Sequence, residues 1–313
     1  MEKHLENINF NHTPIMLTEC IEGLNIKPDG IYVDGTFGGG GHSSKILERL
    51  TTGKLIAIDK DPVALEVGRQ RLGDNPNIVF VKNDFKNFVE ILDGLGIDAI
   101  DGILLDLGVS SYQLDTAERG FSYRFDAPLD MRMDTDNPFS AYNVVNEYSE
   151  KELSEILFRY GEEPFARKIA HEIVATRKLN PIKTTKQLAD IVEKVVFKKK
   201  GANPCTKTFQ AIRIEVNSEL ERLDSVINSM IDRLKSGGRI AIITFHSLED
   251  RIVKTVFKNR SSECICDKSF PVCICGHKKE INILTKKPLV ASEEEQKENT
   301  RSTCAKLRIA EKI

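Results

Sequence analysis

Ile31-Tyr32-Val33-Asp34-Gly35-Thr36-Phe37-Gly38-Gly39-Gly40-Gly41-His42 is the stretch that decides the fold. A short apolar run leading into a carboxylate and then glycines is a buried strand followed by a turn. Four consecutive glycines are costly to order unless something uses their freedom. A glycine-rich turn after a first strand lets the backbone approach a ligand closely, and a following helix presents unpaired N–H groups to it. The spacing is not that of a P-loop, because no Gly-Lys-Ser/Thr triplet follows. Beyond Gly40 it also departs from the dinucleotide pattern G-x-G-x-x-G.

Downstream, strands and helices alternate. Ser43 to Leu50 reads as a helix and Lys54 to Asp59 as a second buried strand. Asp61-Pro62 starts another helix, with Asp61 as N-cap and proline in the first turn. Ile78 to Val81 and Ile100 to Leu107 read as strands three and four. Continuous apolar strands separated by helices imply a parallel sheet covered on both faces. From about Ser111 to Glu215 the rhythm breaks. A loop rich in Arg, Asp and Pro precedes helical patterning over Glu152 to Tyr160, Pro164 to Arg177 and Thr185 to Phe197. The α/β rhythm then resumes with a helix over Ser218 to Leu234 and a strand over Arg239 to Phe245. A helix over Ser247 to Lys258 and a final edge strand over Ala305 to Ala310 follow. The expected organisation is a discontinuous α/β domain, residues 1–110 and 216–313, interrupted by a helical subdomain over 111–215.

The 313 residues are enough to bury a large core without disulfides. A hydrophobic fraction of 40% and a charged fraction of 29% exclude a disordered chain. No apolar leader or membrane-length apolar run is apparent, so the chain reads as cytoplasmic, with its cysteines reduced and no membrane partner.

Several positions carry the chemistry. Asp59 ends the second strand, where an acidic residue of an open α/β fold binds ribose hydroxyls. Both a nicotinamide dinucleotide and S-adenosylmethionine carry a ribose, so Asp59 does not separate them. Phe85, after the third strand, either lies against an adenine or is a buried core residue. Asp106, in Leu104-Leu105-Asp106-Leu107-Gly108-Val109-Ser110-Ser111, ends strand four beside the expected switch point of the sheet. A carboxylate there can face a methionine amine or a methyl acceptor. His246 is either a general base or a structural residue, and Ser247 to Asp250 has the spacing of a capping box.

Eight motifs in order carry a resemblance. They are Asn11-His12-Thr13-Pro14, Asp34 to Gly38, Gly40-Gly41-His42-Ser43, Asp106 to Ser111, Glu118 to Ser122, Leu129 to Met133, Thr208 to Ala211 and Phe245 to Arg251. Together they resemble the MraW (RsmH) family of bacterial 16S rRNA cytosine-N4 methyltransferases, nearly end to end and most weakly from about Arg260 to Thr300. The resemblance implies a Rossmann-like class I methyltransferase with a helical insertion, S-adenosylmethionine as donor, and a decoding-centre cytidine of 16S rRNA as substrate. It implies cofactor contacts at Gly40, Gly41, His42, Asp59, Phe85, Asp106 and Gln113. Gln113 comes from the resemblance alone. Gly39 stands where some relatives carry a basic residue. The rival readings are a nicotinamide-dependent oxidoreductase and a non-catalytic RNA-binding assembly factor. A DNA amino-methyltransferase, with its Pro-Pro-aromatic motif after strand four, does not fit Asp106-Leu107-Gly108-Val109. The oligomeric state stays open, a homodimer included.

On the substrate side, Lys151 to Glu215 holds 14 Lys or Arg against 8 Asp or Glu, the local excess expected of phosphate contact. The run Phe197-Lys198-Lys199-Lys200-Gly201 is its densest part. Arg119, Arg124 and Arg132 are candidates to hold RNA, and Phe121, Tyr123 or Phe125 to stack on an unstacked base. Late in the chain, Cys264, Cys266, Cys273 and Cys275, with His277, have the density of a zinc site. Their C-x-C spacing is not the usual C-x-x-C, which favours four reduced cysteines in a loop over a metal.

Overall fold

The computed structural model describes residues 14–196, 203–267, 270 and 272–313. The basic run over 197–201 and the first three residues of Asn11-His12-Thr13-Pro14 lie outside the described residues. The chain forms two compact units. One runs up to Gly108 and resumes over Arg222–Ile313; the other is Val109–Glu221.

In the first unit, seven strands are described: β1 Ile31–Asp34, β2 Lys54–Asp59, β3 Ile78–Lys82, β4 Ile100–Asp106, β5 Leu234–Thr244, β6 Ile281–Ile283 and β7 Lys306–Lys312. They form one sheet in the order β3-β2-β1-β4-β5-β7-β6. β1 to β5 are mutually parallel, whereas β7 runs antiparallel to both β5 and β6. This is the α/β class with a mostly parallel sheet. β7 is not the edge strand its sequence suggested, because the short β6 covers its outer side.

Apolar strand residues bury on both faces, which is why Ile103 to Leu105 of β4 read as an unbroken apolar run. Leu104, Ala241, Ile243 and Leu307 pack with Tyr32, Ile46 and Leu55 into one core cluster. The order reverses direction between β1 and β4, so a crevice opens beyond their C-terminal ends. Those ends are Asp34 and Asp106.

Two expected boundaries shift. The helix anticipated over Ser218 to Leu234 is instead Leu223–Asp232, and Leu234 opens β5. Ser218 and Arg222 are both left-handed, with φ 49° and 57°, which breaks any helix through them. Gly237, at φ 77°, serves a bulge in which the β4 pairing moves from Leu234 to Arg239 while β4 advances from Ile100 to Gly102.

The second unit is built from helices, among them Glu150–Gly161, Ala166–Arg177, Thr185–Val195 and Cys205–Asn217. Leu153, Leu157, Ile169, Ile173, Leu188 and Ile212 are fully buried within it. Ser149 and Thr184 close capping boxes with Glu152 and Gln187, which fixes where two of these helices begin.

Candidate functional site

The site is built at the C-terminal ends of β1, β2 and β4. Asp34, 1% exposed, organises the turn that follows. Its Oδ2 accepts from the Ser43 hydroxyl at 2.7 Å and its Oδ1 from the Thr36 N–H at 3.3 Å. Burial pushes its carboxyl up to about 6, against the pull of those hydrogen bonds. Thr36 ties the turn to β4, its hydroxyl accepting from the Asp106 N–H at 2.6 Å.

The glycines turn out to serve packing as much as ligand approach. Gly40 has φ 71°, and a Cβ there would lie 2.6 Å from the Phe37 ring. A Cβ on Gly41 would lie 2.2 Å from Pro14 Cγ, and one on Gly35 would lie 2.5 Å from Leu105 Cδ2 and 3.4 Å from Phe85 Cβ. The turn is therefore folded against its own neighbours before any ligand arrives.

Asp59 was expected to face a ribose. In the structure its Oδ2 accepts from the Gly38 N–H at 2.7 Å and its Oδ1 from the Asp61 N–H at 2.8 Å. Each carboxylate oxygen keeps a further lone pair, so Asp59 both shapes the loop and can accept from a hydroxyl. Burial raises its carboxyl to about 6. Asp61 caps the helix Pro62–Leu72 through Val63 N–H at 3.0 Å, as its sequence context predicted. Phe85 opens a short 3-10 turn capped by Asp84 and is half-buried beside the glycine turn.

Asp106 is the most perturbed carboxyl of the site. Burial pushes it up to about 8, and the charges of Asp34 and Glu249 push the same way. Its Oδ1 is buried with no hydrogen-bond partner. Its Oδ2 lies 3.9 Å from His42 Nδ1. The side chain keeps 27% exposure, so one edge still meets solvent and an incoming ligand. His42 Nε2 lies 3.0 Å from the Ile15 carbonyl, which makes Nε2 the protonated nitrogen and leaves Nδ1 an acceptor toward Asp106. Burial lowers the imidazole to about 4, so it stays neutral.

His246 is a helix cap. Its Nδ1 accepts from the Glu249 N–H at 3.4 Å, and Glu249 Oε2 accepts in return from the backbone of Phe245 and His246. The capping box of the helix Ser247–Arg260 is thus His246 with Glu249, one residue before the predicted Ser247. His246 Nε2 lies 3.1 Å from Glu249 Oε1, so the ring is turned onto its own helix start.

Gln113 belongs to the other unit. Its Oε1 accepts from the Ser110 N–H at 3.1 Å in a capping box. Within that unit, two of the arginines proposed to hold RNA are spent on structure. Arg119 is 8% exposed and donates to the carbonyls of Arg132 and Met133. Arg132 forks onto Asp130 and reaches the carbonyls of Thr135 and Asn137. Phe121 is core, and Tyr123 packs edge-on against Phe209 at 5.5 Å. Arg124 and Phe125 remain exposed, Phe125 by 42%.

Two features of this crevice fit S-adenosylmethionine. An orphaned carboxylate oxygen suits the cofactor's ammonium, and an acidic strand end near an aromatic ring suits a ribose and an adenine.

Comparison with known proteins agrees. A profile of the MraW methylase family matches residues 9–313. The ribosomal RNA small subunit methyltransferase H of Caldicellulosiruptor saccharolyticus is 58% identical over 306 residues, spanning 97% of this chain and 100% of its own. Proteins of the same name from Clostridium botulinum and Finegoldia magna are 54% and 51% identical, each over 98% of this chain and 100% of theirs. The chain belongs to the MraW methylase family, whose methyl donor is S-adenosylmethionine.

Proposed function

We propose that the protein transfers a methyl group from S-adenosylmethionine to the N4 amine of a decoding-centre cytidine in 16S rRNA. Relatives that match nearly all of the chain carry the name ribosomal RNA small subunit methyltransferase H, which supports a small-subunit rRNA substrate. The single observation that carries the chemistry is Asp106, a half-buried and strongly perturbed carboxyl with one buried, unpartnered oxygen at the switch point of the sheet. Membership among methylases leaves no place for the nicotinamide-dependent reading.

When bound, S-adenosylmethionine supplies an electrophilic methyl group. The chain's part is to hold it and to prepare the acceptor. Gly40, Gly41 and His42 shape the turn, Asp59 receives the ribose, Phe85 lies against the base, and Asp106 receives the amine of the methionyl group. Gln113 joins this set through the family pattern. A cytosine amine is a poor nucleophile because its lone pair is delocalised into the ring. An acceptor such as Asp106 on its N–H localises that pair and stabilises the positive charge that develops. Exposed Arg124 and Phe125, with exposed Arg159, Arg167 and Lys168 on the helical unit, serve RNA contact. Among the described residues no helix is long and apolar enough to cross a membrane. Action on ribosomal RNA supports a cytoplasmic location.

The test offers labelled S-adenosylmethionine with unmodified small subunits and, separately, naked rRNA, and locates the label by nucleoside mass spectrometry. The expected product is N4-methylcytidine. A label on carbon 5 or on ribose alone would overturn the N4 assignment. No label in either substrate, with binding intact, would favour a non-catalytic assembly factor.

A further inference from the structure

We propose that Cys264, Cys266, Cys273 and Cys275 hold one structural zinc ion. They lie between the helix Ser247–Arg260 and β6, and the methyl-transfer site makes no use of them. All four are free thiols, and their Sγ atoms lie within 4.8 Å of one another. Cys273 Sγ and Cys275 Sγ are 3.5 Å apart, and Cys275 Sγ and Cys264 Sγ are 3.8 Å apart. Four thiolates at about 2.3 Å from a zinc ion occupy a tetrahedron with edges of about 3.8 Å. The sulfurs already stand close to that spacing. It is too wide for a disulfide, whose S–S bond is about 2.05 Å. A polynuclear iron–sulfur cluster would spread its thiolates over several metal atoms.

Two further features agree. Backbone N–H groups point at the sulfurs: Cys264 Sγ accepts from the Cys266 N–H and Cys266 Sγ from the Ile274 N–H, each at 3.4 Å. Donors in that position favour the thiolate and orient metal ligands. Apolar burial does not explain the convergence, because Ile265, Val272 and Ile274 are 54%, 71% and 71% exposed. Something other than a hydrophobic core draws the four sulfurs together. His277 is not a ligand through Nε2, which lies 2.9 Å from the Asn259 carbonyl. The converging ligand atoms are those of the four cysteines. The C-x-C spacing, which argued against zinc in the sequence, is accommodated because all four sulfurs converge within 4.8 Å of one another.

Such a site would staple a segment that follows the helix capped by His246 and precedes β6, the outer neighbour of β7. Its role is to hold that edge of the sheet, with no part in the chemistry.

The experiment uses the full chain, purified under reductant and without a metal-affinity step. Elemental analysis should find about one zinc per chain, and X-ray absorption should find four sulfurs at about 2.3 Å. A mercurial reagent should release the zinc to a chromogenic chelator in step with modification of four thiols. Cys273→Ser combined with Cys275→Ser should lose the metal, melt several degrees lower and still bind S-adenosylmethionine. Less than about a tenth of a zinc per chain, with no uptake of added Zn(II) or Co(II) by the reduced protein, would overturn the proposal. Zinc retained in full by the double variant would overturn it as well. Should that variant fail to fold, the mercurial release from wild type decides between the same two outcomes.

Discussion

Binding of S-adenosylmethionine at neutral pH should expel close to one proton from the protein. The reason is Asp106. Its carboxyl titrates near 8 in the free protein, so at pH 7 about nine molecules in ten carry the proton. A cationic ammonium facing the orphaned Oδ1 requires the ionised form. Affinity should then rise nearly tenfold per pH unit between about pH 6 and pH 7, equivalent to about 1.4 kcal/mol, and level off above about pH 8. The groups facing Asp106 do not supply this proton. His42 is already neutral, with its imidazole lowered to about 4. Asp34 titrates near 6 and is largely ionised by pH 7. Asp59, also near 6, adds to the slope only at the lower end. Calorimetry in two buffers of different ionisation enthalpy counts the protons directly. Asp106→Asn should release almost none, lose the slope above pH 6.5, and bind about tenfold to a hundredfold more weakly at pH 8, the worth of a charge-assisted hydrogen bond. Wild type that releases no proton, or an Asn variant that releases as many as wild type, would refute the reasoning.

The same carboxyl makes a prediction about the ligand-free protein. Its folded pKa lies above the unfolded value of about 3.9, so the stability it confers is full below that value and is lost as pH rises toward 8. Asp106→Asn should therefore stabilise the free protein at pH 7 by on the order of 2–4 kcal/mol, seen as a higher melting temperature than wild type, and by little at pH 4. Gly41→Ala places a Cβ 2.2 Å from Pro14 Cγ and should cost about 1–3 kcal/mol by thermal melting, with weaker cofactor binding as the turn shifts. His246→Ala should cost about 1 kcal/mol through the lost cap while the pH profile of kcat keeps its shape. A fall of about a hundredfold in kcat with a changed pH profile would instead make His246 a general base.

The α/β core was legible because its signals are local. An apolar run that ends in Asp-Gly is a strand and a turn wherever it sits, and Asp61-Pro62 marks a helix start by its own chemistry. What escaped the sequence was decided at a distance. Glu249 raises the Asp106 carboxyl from 143 positions away, and nothing in Phe245-His246-Ser247-Leu248-Glu249 announces that its charge reaches Asp106. The aromatic cluster Phe121, Tyr123 and Phe125 looked equivalent until the helical unit's core claimed the first and Phe209 the second. Arg119 and Arg132, read as RNA ligands, proved to be donors to carbonyls, because a loop without regular structure must satisfy its backbone somehow. The glycines show the limit most clearly. Their run signalled a ligand, yet Gly40 and Gly41 are required first by Phe37 and Pro14. A glycine-rich turn therefore testifies to tight packing of the loop itself. It is the unpartnered oxygen of Asp106 that points to a cationic ligand. That distinction is why substitutions at the glycines should report on stability and affinity together, whereas substitution at Asp106 should separate them, raising one and lowering the other.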